Sequence, residues 1–263
     1  MSTRSPFLDA LASRVLVCDG AMGTSIFQRS LSLEHDYCGC ENCTDILVRT
    51  RPDVIQEIHE DFLRAGADCV ETDSFGANPL VLAEFGLADQ ARELSKRSAE
   101  VARAACARHA TKDKPRFVIG SMGPGTKLVT LGNTTWDEML ASYREQARGL
   151  LDGGVDAFLI ETCQDILQVK CAINAVLAAL EEHGKGPHEV PILASVTIET
   201  TGTMLVGTSI EAAATVLSRY PIVSLGLNCA TGPVEMADHV QFLGKHWRGR
   251  SAWAGGGGPA RAI

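Results

Sequence analysis

The feature that most constrains the fold of this chain is the alternation of short apolar runs with longer amphipathic stretches. In the amphipathic stretches, apolar residues recur with the 3.6-residue period of a helix. Continuously apolar runs are typical of parallel strands covered on both faces. The alternation therefore predicts βα units. The predicted strands are Val15–Cys18, Ala67–Glu71, Arg116–Gly120, Ala157–Ile160, Ile192–Val196 and Ile222–Leu227.

Signals for helix ends support this interpretation. Pro52 stands where a first helical residue belongs, and Thr135 with Glu138 has the spacing of a capping box. Gly66 lies where a helix must stop before the next predicted strand.

Six βα units predict an α/β fold of the (β/α)8 TIM-barrel type, two units short of a complete barrel. We expect a partial barrel domain over residues 1–247 and an irregular, flexible Gly/Arg-rich tail over residues 248–263. Such a barrel would leave its first and sixth strands as unpaired edges. A doubly wound open sheet is the alternative, and it would bring the same loops to one edge. A phosphate cradle at Gly255–Gly258 is disfavoured because no predicted strand precedes it.

Composition excludes several classes of function. The chain has 32 acidic and 24 basic residues and a net charge of −8, which argues against binding to nucleic acid or an anionic membrane. We find neither a signal peptide nor an apolar run long enough to span a membrane. The nine cysteines are an odd number spread over a large chain, unlike a disulfide framework. We therefore expect a cytoplasmic protein.

Polar residues follow the predicted strands at the end where barrel enzymes place their sites. Asp19 and Glu161 come directly after buried strands, and paired carboxylates hold ammonium groups or exchange protons. Helix capping or surface ion pairing is the competing interpretation. Cys229 ends the sixth strand beside Asn228, where a thiol is a metal ligand, a nucleophile or a small buried hydrophobe.

Other thiols are weaker candidates. Cys38, Cys40 and Cys43 lie within six residues, and soft thiolates suit zinc, but a closed zinc site needs four ligands. An incidental group of loop thiols is the favoured interpretation there. We expect Cys18 to serve packing, whereas Cys163 stays open between packing and a place at the site.

Six blocks, in chain order, resemble the homocysteine S-methyltransferase family, and the last two look most like the homocysteine-binding module of cobalamin-dependent methionine synthases. The resemblance runs from about residue 14 to about residue 247. The blocks are Asp19-Gly-Ala-Met-Gly-Thr24, Thr50-Arg-Pro-Asp53, Glu71-Thr-Asp-Ser-Phe-Gly-Ala77, Gly120-Ser-Met-Gly-Pro124, Glu161-Thr-Cys-Gln-Asp165 and Gly226-Leu-Asn-Cys-Ala-Thr-Gly-Pro233.

The resemblance implies zinc-dependent methyl transfer to the thiol of homocysteine, giving methionine. It implies that Cys229 is the first of three zinc thiolates. The other two belong to a Cys-Cys block near the last strand that this sequence lacks. Glycine-rich turns are further expected to direct backbone N–H groups at the substrate carboxylate. The implied substrate-binding residues are Asp19, Gly20, Gly23, Ser121, Gly123, Glu161 and Asn228.

The implied methyl donor is methylcobalamin, carried with folate on modules or polypeptides other than this chain. Two alternatives stay open: a stand-alone enzyme that uses S-methylmethionine or betaine, and a catalytically inactive truncated fragment. Asp73 stands where the family usually has asparagine, so we expect altered charge beside the site.

Overall fold

The computed structural model describes residues 5–254 and 261–262, and within these residues the strands lie side by side in chain order and close into a barrel. All the predicted strands are present, so the α/β fold of the TIM-barrel type, with its six βα units, is confirmed. The strands are β1 (Val17–Cys18), β2 (Cys69–Glu71), β3 (Phe117–Met122), β4 (Ala157–Cys163), β5 (Ile192–Val196), β6 (Ile222–Asn228), β7 (Arg250–Ala254) and β8 (Arg261–Ala262).

Helices alternate with β1 to β6 and cover the outside of the barrel. None of the described helices is both long enough and apolar enough to cross a membrane. The helices are α1 (Pro6–Ser13), α2 (Met22–Phe27), α3 (Leu47–Thr50), α4 (Pro52–Ala65), α5 (Pro79–Leu82), α6 (Ala91–His109), α7 (Trp136–Asp152), α8 (Ile166–Glu182), α9 (Ile210–Leu217) and α10 (Pro233–His246).

The helix ends form where the sequence predicts them. Pro52 is the first residue of α4, and Gly66 ends that helix in the left-handed conformation with φ of 115°. Thr135 and Glu138 form a reciprocal capping box at the start of α7: the Glu138 N–H donates to the Thr135 hydroxyl, and the Thr135 N–H donates to the Glu138 carboxylate.

Two apolar layers hold the barrel together. Outside, the buried stripe of α7 that includes Tyr143 and Leu150 packs with α8 against the strands. Inside, Phe7 and Leu11 of α1 pack with inward-facing residues of β1 to β5. Phe7 contacts Phe117 edge to face, with ring centroids 5.4 Å apart. Because α1 precedes β1, it fills the N-terminal end of the barrel and leaves the C-terminal end for polar residues.

The tail after α10 differs from the expectation. No further βα unit follows within the described residues, but the tail is not wholly irregular, because β7 pairs parallel with β6. The short β8 pairs antiparallel with both β7 and β1, so the expectation of unpaired edges at the first and sixth strands is wrong. The physical reason is the edges themselves, since their free N–H and C=O groups pair readily with extended chain. Residues Gly255–Gly258 lie outside the described residues.

Candidate functional site

The centre of the candidate site is the side chain of Asn228 at the end of β6. Its Oδ1 accepts hydrogen bonds from the Ser195 hydroxyl of β5 at 2.7 Å and from the Thr162 N–H at 3.0 Å. Its Nδ2 lies 2.7 Å from Thr162 Oγ1, 3.3 Å from Glu161 Oε2 and 3.4 Å from Cys229 Sγ. One buried amide thus fixes the ends of β4, β5 and β6 relative to one another.

Glu161 extends this network toward β3. The Ser121 hydroxyl donates to Glu161 Oε1 at 2.7 Å, and both side chains are almost fully buried. On its other side, the Ser121 N–H donates to Thr72 Oγ1 at 3.0 Å. The predicted residues Ser121, Glu161, Asn228 and Cys229 therefore meet in one hydrogen-bonded group at the mouth of the barrel.

The backbone is strained where these residues meet. Thr162 has φ of 59° and Cys229 has φ of 61°, in the left-handed region that non-glycine residues seldom adopt. The Thr162 hydroxyl and Cys229 Sγ lie 3.7 Å apart, so the two strained residues are in contact. The pairing of β4 with β5 also shifts register between Ile160 and Cys163. Strain and bulges of this kind cluster at functional sites, so they mark the adjoining ends of β4 and β6 as a candidate site.

Asp19 lies directly after β1, at the C-terminal end of that strand. Its two carboxylate oxygens accept from the Glu71 N–H at 3.0 and 3.1 Å, and the side chain is 2% exposed. His59 of α4, one of the helices outside the barrel, lies close to it, with Nδ1 4.0 Å from Asp19 Oδ2. Sequence reasoning missed His59, although its place four residues after the buried Ile55 puts it on the inner stripe of α4.

The glycines serve several purposes. Gly23 lies within α2, where an added Cβ would meet nothing within 4 Å, and Gly20 is buried just before that helix. At Gly123 an added Cβ would lie 2.7 Å from the Phe75 ring, and the Gly123 N–H donates to the Phe75 carbonyl at 3.0 Å. The N–H of Gly123 is thus already engaged within the protein, contrary to the expectation that it points at a substrate carboxylate.

The described residues do not fit zinc bound by three thiolates. Among them, no three His, Cys, Asp or Glu side chains are grouped closely enough to hold a metal ion, and this includes the surroundings of Cys229. Burial raises the pKa of Cys163, which favours the neutral thiol over the thiolate that a metal needs. A hydrogen bond with Cys69, together with burial, likewise raises the pKa of Cys18.

The loop thiols Cys38, Cys40 and Cys43 do not form a metal site either. Cys38 is exposed, Cys40 is half-buried, and Cys43 is buried. Burial raises the pKa of Cys43 to about 12, and this side chain packs against Ile46 and Leu82. The favoured interpretation of incidental loop thiols agrees with this arrangement.

A pair of buried carboxyl groups, Asp45 and Asp73, lies between the β1–α4 loop and the end of β2. Asp45 Oδ1 accepts from the Gly76 N–H at 3.0 Å, whereas Asp73 Oδ2 has no hydrogen-bond partner. Burial raises the pKa of Asp45 to about 6, and burial together with Asp45 raises that of Asp73 well above its usual range. Both shifts favour the protonated acids, and a protonated Asp73 carries no more charge than asparagine, which opposes the expectation of altered charge beside the site.

Comparisons with a family model and with curated proteins point to the same family. The sequence matches the family model for homocysteine S-methyltransferase over residues 16–255. Methionine synthases of Mycobacterium tuberculosis (strain ATCC 25618 / H37Rv) and Mycobacterium leprae (strain TN) are each 47% identical to it over 241 residues. That match covers 92% of the chain and 20% of each relative, so the chain spans about a fifth of their length.

Solved structures of the homocysteine methyltransferase MmuM from Escherichia coli share the fold. The metallated form gives a TM-score of 0.70 at 25% identity, and the match covers 90% of this chain and 82% of that one. The oxidized form gives a TM-score of 0.66 at 24% identity, covering 95% of this chain and 94% of that one.

Proposed function

Because the chain belongs to the homocysteine S-methyltransferase family, we propose that its barrel mouth binds homocysteine and presents the thiol for methylation to methionine. The observation that carries this proposal is the hydrogen-bonded group of Ser121, Glu161 and Asn228 beside the Cys229 thiol. It combines a buried carboxylate, which suits an ammonium group, with a strained strand end at the mouth of a barrel.

We assign binding of the homocysteine ammonium group to the carboxylates of Asp19 and Glu161. Hydrogen bonds fix both: Glu71 N–H donates to Asp19, and the Ser121 hydroxyl and Asn228 amide donate to Glu161. A fixed carboxylate needs little reordering to bind a cation, which strengthens binding. In the reaction, the substrate thiol releases its proton to solvent, its sulfur forms a bond to the methyl carbon, and the bond between that carbon and the donor breaks with its electron pair staying on the donor. The residues proposed to bind substrate are Asp19, Gly20, Gly23, Ser121, Glu161 and Asn228, together with Gly123, which would line the site without donating its N–H because that group donates to Phe75.

Zinc stays a proposal for Cys229, supported by the metallated form of the E. coli relative. Catalytic zinc takes three protein ligands, and the described residues group no such set. All nine cysteines lie within the described residues, so the remaining ligands must come from a rearrangement of this chain or from another polypeptide, and we derive no reaction step through the metal. The nine free thiols suit a reducing compartment, so we place the protein in the cytoplasm.

The methionine synthase relatives, which extend far beyond the matched region, support methylcobalamin on a separate module as the methyl donor, with a folate-binding module as its source of methyl groups. The likeness to a stand-alone homocysteine methyltransferase favours a second candidate, a small-molecule donor such as S-methylmethionine or betaine. A third candidate, an inactive fragment, is favoured by the ungrouped metal ligands.

A donor assay separates these candidates. The purified chain is incubated with zinc, L-homocysteine and one of methylcobalamin, S-methylmethionine or betaine, and methionine is measured by mass spectrometry. Methionine from methylcobalamin alone supports the proposal, whereas methionine from either other donor supports the second candidate. No methionine from any donor contradicts activity of this chain. Glu161→Gln should abolish product, and Glu181→Gln, an exposed position on α8, is the matched control.

A further inference from the structure

His59 is a fully buried histidine whose two ring nitrogens make no hydrogen bond. Its side chain is 0% exposed, and neither ring nitrogen has a hydrogen-bond partner. Burial lowers its pKa to about 4, so the imidazole is neutral at pH 7, with one N–H donor and one acceptor nitrogen. An apolar side chain of similar size would fill the space without burying two unpaired polar atoms. The imidazole at this position therefore suggests that one ring nitrogen gains a hydrogen-bond partner in another state of the protein.

Asp19 is the polar side chain placed to become that partner. His59 Nδ1 lies 4.0 Å from Asp19 Oδ2, about one ångström too far for a hydrogen bond and near enough to form one after a small shift. Ile55 and Leu63, one turn away on either side of His59, are also buried, so His59 lies on the buried face of α4. Catalytic hydrogen bonds are often long in unliganded enzymes and tighten when the ligand binds.

We propose that His59 is a positioning residue for Asp19, donating from Nδ1–H to Asp19 Oδ2 when this carboxylate receives the ammonium group of homocysteine. The inference rests on the proposed function, since it assigns Asp19 to that ammonium group. A neutral donor suits the task because it orients the carboxylate and leaves its full negative charge for the substrate. A charged partner would compete with the ammonium group for the same oxygens.

Three substitutions separate this role from simple packing. In His59→Asn the amide nitrogen lies close to the place of the imidazole Nδ1, so the donor toward Asp19 is kept. In His59→Gln the amide reaches the place of the imidazole Nε2, and in His59→Leu the donor is lost while the volume is kept. We expect His59→Asn to retain ligand selectivity and the other two variants to lose it.

The test is isothermal titration of wild type and variants with two ligands, L-homocysteine and 4-sulfanylbutanoate. The second ligand has the same thiol and carboxylate but no amino group. Wild type should prefer L-homocysteine, and His59→Leu should weaken its binding by about tenfold, as expected for a hydrogen bond to a charged group. Binding of 4-sulfanylbutanoate should stay unchanged. Melting temperatures verify that each variant folds. If His59→Leu does not fold, the comparison of His59→Asn, which keeps the donor, with His59→Gln, which displaces it, tests the role of His59.

The outcomes separate the positioning role of His59 from the proposed binding of homocysteine. If wild type prefers L-homocysteine but the variants weaken both ligands equally, or weaken neither, the role of His59 is refuted and the proposed function stands. If wild type binds the two ligands equally, or binds neither, the proposed use of Asp19 fails and the inference fails with it. Selective loss in His59→Leu and His59→Gln, with retention in His59→Asn, supports both.

Discussion

Asn228 of β6 donates a hydrogen bond of 3.3 Å to Glu161 of β4, across the strand that separates them. The same side chain accepts from Ser195 on the intervening β5. Three adjacent strands are thereby joined at the mouth by side chains, in addition to their backbone ladders. The carboxylate proposed to bind substrate and the thiol proposed to bind metal both take their positions from this one amide.

Replacing Asn228 with alanine should destabilise the fold. The change removes the amide oxygen that accepts from the Thr162 N–H and the Ser195 hydroxyl, so both donors lose their partner. It also removes the amide N–H groups that donate to Glu161 and to the Thr162 hydroxyl. We expect the free energy of unfolding to fall by about 2–3 kcal/mol, measured by urea denaturation and circular dichroism. Asn133→Ala, at an exposed loop position, should change it by less than about 0.5 kcal/mol. Equal effects of the two substitutions would contradict the role of the buried network.

Asp73→Asn should stabilise the protein at neutral pH. The raised pKa of Asp73 in the fold means that the native state holds its proton where the unfolded chain, with a pKa near 3.9, has lost it. This acid therefore contributes a stability that is fully present below about pH 4 and is lost as pH rises through the folded pKa. Asparagine carries no proton to lose, so the variant should gain about 1–3 kcal/mol at pH 7 and little at pH 4.

Thermal unfolding between pH 4 and pH 8 measures this effect. Asp113→Asn, at an exposed position, is the matched control and should follow the wild-type curve. A variant whose advantage over wild type does not grow with pH would show that Asp73 is already charged in the folded protein.

Two helical glycines should respond oppositely to alanine. An added Cβ at Gly149 of α7 would overlap the Arg92 carbonyl of α6 and lie 2.8 Å from Ser95 Cβ. Because backbone cannot move aside cheaply, Gly149→Ala should cost about 1–3 kcal/mol despite the better helix propensity of alanine. At Gly244 of α10 an added Cβ meets nothing within 4 Å, so Gly244→Ala should stabilise by about 0.5–1 kcal/mol. Calorimetric melting would show shifts of opposite sign, and shifts of the same sign would refute the close approach of α6 and α7.

The purified chain should hold less than one equivalent of zinc after dialysis. Cys229 has no second or third metal ligand grouped with it among the described residues, and burial favours the neutral thiol at Cys163. Elemental analysis of wild type and Cys229→Ser should therefore give similarly low zinc. One tightly held zinc per chain in wild type that Cys229→Ser removes would contradict this account and point to substitute thiol ligands, with Cys38, Cys40, Cys43 and Cys163 as the candidates.

The βα alternation was enough to predict the barrel because each strand is covered on both faces and each helix on one. Strand ends were harder to predict: β4 runs on to Cys163 through a register shift that apolar pattern does not encode. The pairing of β7 with β6 depends on a free edge in space, which no local pattern in the tail reveals.

The site shows a similar division. Glu161 was predicted because it follows an apolar strand, and Asn228 because the family resemblance implies it; the structure brings the two side chains together. His59 and Asp45 were missed, since a helical histidine and a loop aspartate gain meaning only when folding brings them beside Asp19 and Asp73. Whether the N–H of Gly123 faces substrate or protein depends on Phe75, which the glycine pattern cannot show.

Isothermal titration of L-homocysteine into wild type, Glu161→Gln and Glu181→Gln tests most directly whether the mouth of the barrel binds this substrate. Glu161→Gln removes one charged partner of the ammonium group while keeping the side-chain shape. The dissociation constant of this variant for L-homocysteine should therefore rise at least about tenfold. The exposed Glu181→Gln control should match wild type, which should bind one L-homocysteine per chain. Equal affinity in Glu161→Gln and wild type, or no binding by wild type, would contradict the proposed site.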